Sequence, residues 1–253
     1  MTDSQKSNIT WRGILIGGGA AAIGSVLVGV VESAIQFLPG ADAPHETALD
    51  FFRLFHENPF MGLRDMGLLN IFFNVLSILI FLALYAAHRG HKSQPQATLA
   101  LITSYLGIGI FFATNRAFSM LTLSQQYAAA ETESQRLILE AAGQAMIAVG
   151  ASHSPGTFLA FSLNDIAGIM IAFVMLRSGV FSKLTAYAGI LGFGILLVVE
   201  FFTSFFAGVS EIMMLLFMVG GLASMVWSIL TAKTLFKLGR AGEKTELRLE
   251  QKR

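Results

Sequence analysis

GTFLAFSLNDIAGIMIAFVML, residues 156–176, is apolar except for Asn164, Asp165 and a few hydroxyls, and it stops at Arg177. An α-helix rises about 1.5 Å per residue, so a run of this length crosses the ~30 Å hydrocarbon core of a bilayer. Five further runs read the same way: 13–37, 67–87, 97–117, 185–206 and 212–232. None alternates in the strict period of a barrel strand. The whole chain fits this reading. It is 54% hydrophobic and 13% charged, about half the charge of a soluble domain, where roughly 25% is usual. The expected fold is therefore all-α: a polytopic membrane helix bundle of about six transmembrane helices, with two amphipathic helices in its outer loops.

Domain organisation follows from the same runs. Residues 1–12 form a short N-terminal segment, 13–232 the six-helix domain and 233–253 a basic tail. The opening MTDSQKSNITW is too weakly basic for a signal peptide, and the first apolar run is longer than a signal core, so it reads as a retained span. The chain has no cysteine, which excludes disulfides, thiolate catalysis and cysteine-based metal sites.

Orientation is read from Lys and Arg. The N-terminal segment has Lys6 and Arg12. HRGHKSQPQ (88–96) has Arg89 and Lys92 with no acid, and the connector after residue 176 has Arg177 and Lys183 with no acid. His88 and His91 are expected to add to the basic charge. The two long connectors are acidic: 38–66 carries Asp42, Glu46, Asp50, Glu57 and Asp65, and 118–155 carries Glu131, Glu133 and Glu140. Both termini are expected in the cytoplasm and both long connectors outside.

Each long connector contains a helix signal. HETALDFFRLFHEN (45–58) puts Leu49, Phe52 and Phe51 or Phe55 on one face and is stopped by Asn58-Pro59, an amphipathic helix expected at the interface. Thr132 and Gln135 form a capping box for a helix ending near Gly150. An ordinary interfacial helix is the expected reading; a lid, with its Leu137, Ile138, Ala141, Met146 and Ile147 packed across the outer mouth of the bundle, is the alternative. In the tail, Arg240, Lys244, Arg248 and Lys252 recur every fourth residue among interspersed glutamates, a solvated helix in this reading.

Several motifs are decoys. Gly17, Gly19 and Ala22 match a dinucleotide-binding loop by spacing, but they lie inside an apolar span with no preceding strand. Taken every fourth residue, Gly13, Gly17, Ala21, Ser25, Gly29 and Ser33 instead form a small-residue ridge for close helix packing, within the bundle or against a second copy. His45, His56 and His153 lie on the outer side, where with Asp50 or Glu57 they are weighed as zinc ligands. They lack metal-site spacing, and no metal or cofactor is expected.

The chemistry-bearing residues are those that membrane spans rarely contain. Asp165 lies about 14 Å below the outer end of its span. A charge at that depth costs at least ~2.5–3.5 kcal/mol unless it faces the bundle interior. Asn164 stands beside it. Glu32, Asn70, Asn74, Asn115, Arg116 and Glu200 share the same outer half. Together they suggest a polar pocket with Asp165 at its floor and Arg116 at its rim, where Glu32 or Glu200 is the expected partner of Arg116. Polar contacts that only fix helix register are the competing account.

ATNRAFSMLTLSQQYAAAETESQRLILEAAGQAM (113–146), DIAGIMIAFVMLRSGVFSKLTAYAGILG (165–192), TLFKLGR (234–240), NPF (58–60) and FLALYAAHRG (81–90) resemble the prokaryotic integral membrane family catalogued as domain of unknown function 4386. The resemblance implies several hydrophobic helices in a bacterial cell membrane, and no activity or catalytic residues. The function expected from the residues is binding or passage of a small polar or ionisable ligand, or a lipid headgroup, in the outer-half pocket. The alternatives are an intramembrane enzyme using Asp165 or Glu32 as general base, which the sequence favours less, and a membrane scaffold. The lipid bilayer is the expected partner, a homo-oligomer is open, and nucleic acid is not expected.

Overall fold

The computed structural model describes residues 11–35, 45–206 and 210–250. In chain order the helices are α1 (Arg12–Ile35), α2 (Ala48–Glu57), α3 (Pro59–Asp65), α4 (Leu68–Ala87), α5 (Gln94–Thr114), α6 (Ala117–Ala128), α7 (Glu133–Gly150), α8 (Phe158–Ser178), α9 (Lys183–Phe205) and α10 (Ser210–Glu250). Six of them, α1, α4, α5, α8, α9 and α10, are long and apolar enough to cross a membrane. The chain is an all-α, multi-pass membrane protein.

These six helices pack in chain order, and α10 returns to α1, so the bundle is a closed ring. Short connectors make α4–α5 and α8–α9 antiparallel neighbours, as their sequence spacing predicts. Two boundaries differ from expectation. The third span breaks at Asn115, whose extended backbone (φ −60°, ψ 130°) ends α5 and lets α6 start in a new direction. The sixth helix does not stop at 232. Leu235 is fully buried, and Phe236 and Ile16 close on Gly19 and Gly239 across the α1–α10 contact. The first turns of the expected tail thus belong to the bundle. The backbone of α10 continues as helix to Glu250, while the side chains of the basic stripe beyond Ala241, residue Lys252, and residues 36 and 37 of the first expected span fall outside what is described.

The end of the ring at the short connectors is filled by Leu15, Leu84, Ile171, Met175 and Leu235, all fully buried. His88 closes it. Its Nδ1 lies 2.7 Å from the Leu84 carbonyl and its Nε2 3.1 Å from Ser178 Oγ, and its ring stacks on Phe181. Burial pushes the His88 pKa below its ordinary value. The ring is fully buried beneath its connector rather than exposed on it.

The opposite end carries a second core. Thr47 and Asp50 cap α2 reciprocally: Thr47 N donates to the carboxylate at 3.0 Å and Asp50 N to Thr47 Oγ1 at 3.2 Å. The Thr47 bonds hold the Asp50 carboxyl below its usual range. Phe51, Phe52 and Phe55 of α2 bury against Met66, Ala117 and Met120. This helix packs on α6 and α7, so its apolar face meets protein. Thr132 and Gln135 cap α7 as the sequence indicates. Of its expected apolar face, only Met146 and Ile147 join this core. Leu137 and Ile138 stand 58% and 67% exposed, and Ala141 is exposed.

The glycine ridge of α1 also divides. A Cβ on Gly13 or Gly17 would meet nothing within 4 Å, whereas one on Gly18 would overlap Ala83 of α4, and one on Gly29 would come within 2.6 Å of Met225 of α10. The helix is wedged between two neighbours, so its close contacts follow two stripes. We predict that Gly18→Val destabilises the detergent-solubilised protein by about 1–3 kcal/mol through overpacking. Gly17→Ala should change the unfolding midpoint little. Equal effects of the two would contradict this packing.

Candidate functional site

The expected site residues fall into separate groups. Asn74 on α4 and Asn164 on α8 meet across the ring, between helices that are not ring neighbours. Asn164 Nδ2 donates to Asn74 Oδ1 at 3.3 Å, and Asn74 Nδ2 donates to the Asn70 carbonyl at 2.8 Å. Asn70 thus enters through its backbone. Gly107 of α5 lets Asn164 sit close, since a Cβ there would come within 3.2 Å of the amide carbon. Asn164 Oδ1 is buried with no hydrogen-bond partner.

Asp165 and Glu200 form the second group. Glu200 on α9 is buried. Its Oε2 lies 2.5 Å from His153 Nδ1, and its Oε1 accepts from Ser204 Oγ at 3.1 Å. His153 comes from the loop before α8, held with φ +54°, the one non-glycine residue with positive φ among those described. That left-handed backbone is sparsely populated and persists where surroundings over-determine it. Here Phe161 stacks on the ring at 4.7 Å, Phe217 meets its edge at 5.8 Å and Glu200 holds the nitrogen. Asp165 is different. Glu200 acts on it through space as a like charge, and among the described residues no hydrogen bond or ion pair reaches its carboxylate. One turn away, Ser162 Oγ is also buried without a partner. Ser204 bonds the carboxylate rather than the imidazole, so the three side chains do not stand in the Ser–His–acid order of a hydrolase triad.

The remaining expected residues lie apart. Among the described residues Arg116 pairs with no acid. Its Nη1 donates to the Ala113 and Asn115 carbonyls at 2.7 and 3.2 Å, satisfying the negative end of α5. Glu32 has Arg64 instead, at 2.7 Å, and Arg64 continues to Asp65 at 2.9 Å and Asp65 to His45 at 3.3 Å. Asn115 is a joint: Nδ2 donates to the Met66 carbonyl at 3.1 Å and Oδ1 accepts from Ala117 N at 3.2 Å. Both partners expected for Arg116 are thus engaged elsewhere, and Glu32 is not a free base. His45 and His153 go to different acids, and no three His, Asp or Glu side chains converge among the described residues. Two clefts lie away from Asp165. One, of about 440 Å³, lies between α5 and α8 near Lys92 and Arg177; the other, of about 390 Å³, lies beside Phe52 and Tyr127.

Sequence reasoning missed the His153–Glu200 and Arg64–Glu32 pairs. Each joins a residue outside the spans to a span residue far away in the chain, and no local pattern announces that. We predict that a double-mutant cycle on Asn74→Ala and Asn164→Ala yields a coupling of about 0.6 kcal/mol and no more than ~1.7 kcal/mol, the range for hydrogen bonds between membrane helices. Additive single effects would show that the cross-ring bond contributes nothing.

Compared with known proteins, the chain matches no family model, no curated protein and no solved structure.

Proposed function

We propose that this membrane protein binds a small cationic solute in the outer half of its helix ring, with Asp165 as the central acceptor. The observation that carries the reading is the Asp165 carboxylate, the one span carboxylate without a protein partner among the described side chains. Glu32 has Arg64, and Glu200 has His153 and Ser204. An ion left bare at that depth costs ~2.5–3.5 kcal/mol or more, and a second carboxylate nearby adds to the cost. A bound cation removes it. With Arg116 engaged at the end of α5, nothing in this group attracts an anion. The carboxylate itself is an acceptor suited to a hard cation or an ammonium group.

The alternation of basic short connectors and acidic long ones supports a cell-membrane location with both termini in the cytoplasm. The sequence blocks quoted above support membership of the prokaryotic membrane family catalogued as domain of unknown function 4386, which brings no activity with it.

The test is a thermal-stability panel of sodium, potassium, calcium, methylammonium and guanidinium on purified wild type and Asp165→Asn. At least one cation should stabilise the wild type saturably, by about 2.7 kcal/mol at a hundredfold excess over Kd, and leave the variant unmoved. A panel with no effect, or an equal effect on both, would overturn the proposal. For topology, a reporter active only in the cytoplasm should work when fused after residue 253 and fail when inserted at residues 129–132. The opposite pattern would invert the orientation.

A further inference from the structure

The groove between the ends of α5 and α8 is amphipathic along its depth. Lys92, Arg177 and Gln96 line one end; Leu99, Met170 and Phe173 line the rest. Along α8, Phe173 lies one turn and Met170 about two turns into the span from Arg177. Leu99 and Phe173 are 55% and 45% exposed on the outside of the ring, so the groove opens sideways toward lipid. Neither Lys92 nor Arg177 has an ion-pair partner among the described residues, and neither connector beside them contains an acid. Ser93 does not cap α5 with its side chain; its hydroxyl is engaged with His91 Nδ1 at 2.6 Å. The positive end of the α5 dipole therefore adds to the two cations.

We propose that this groove holds one anionic phospholipid. Its phosphate lies between Lys92 and Arg177, and an acyl chain runs along Leu99, Met170 and Phe173. Charge complementarity selects the headgroup: two unpaired cations stand at the depth where headgroups lie, a pattern that recognises anionic lipid. The apolar floor selects a lipid over a free anion, because inorganic phosphate would leave Leu99 and Phe173 uncovered. The site is separate from the Asp165 group and stands without it.

Native mass spectrometry of the full chain in detergent tests this, with phosphatidylglycerol, phosphatidylcholine and inorganic phosphate as probes. Wild type should retain one phosphatidylglycerol in preference to phosphatidylcholine. The double variant Lys92→Gln/Arg177→Gln should bind phosphatidylglycerol about thirtyfold more weakly. Both side chains are exposed, so the variant should fold; if it does not, each single substitution should weaken retention about fivefold. Unchanged phosphatidylglycerol affinity in the variants would overturn the proposal. So would equal retention of phosphatidylcholine, or displacement of the lipid by equimolar inorganic phosphate.

Discussion

Hydrocarbon solvates neither a peptide group nor a charge, and that constraint organises this structure. Each spanning backbone satisfies itself as a helix. Hydroxyls in the spans do the same locally: Ser25, Thr103, Thr114 and Thr203 each donate to the carbonyl four residues back. Polar groups not fully satisfied within their own turn are met from elsewhere in the chain: Asn74 by Asn164, Glu200 by His153 and Glu32 by Arg64. Among the described residues Asp165 has no such partner, and the proposed cation would supply one.

The ring is graded along its axis as a result. One end is closed by aliphatic side chains and by buried His88, which ties α4 to α8 through Ser178. The other end ties the same two helices through Asn74 and Asn164. Between these cross-links the interior changes from apolar to polar. The second core of α2, α3, α6 and α7 stands beyond the polar end and is built on the bend at Asn115. Arg116 serves that bend by bonding the carbonyls of Ala113 and Asn115 at the end of α5.

The six spans were legible because length and apolarity decide them locally. The capping boxes at Thr47 and Thr132 were legible for the same reason: the partners are three residues apart. The inner limit of α10 was not, because Leu235 and Gly239 belong to the bundle only through contact with α1. The small-residue ridge pointed to close packing of α1, but only contacts reveal that Gly18 and Gly29 face neighbours while Gly13 and Gly17 do not. At the candidate site, the polar residues and their shared half were readable from sequence, whereas their pairing was not. Arg116 and Asp165 share a leaflet by residue count, yet Arg116 bonds its own helix end, and His153 and Arg64, both outside the spans, supply the partners of Glu200 and Glu32.

The absence of cysteine allows the central claim, an uncompensated acceptor in a polar half-bundle above a sealed one, to be tested without background. Single cysteines at residue 165 and at Ala172, two turns deeper on the same helix, would be exposed to membrane-impermeant thiol reagents from either side. Residue 165 should react from the side of the long connectors, faster with a cationic reagent than with an anionic one because Glu200 stands nearby, and residue 172 should react from neither side. An unreactive residue 165, or equal reaction at both positions, would contradict the account.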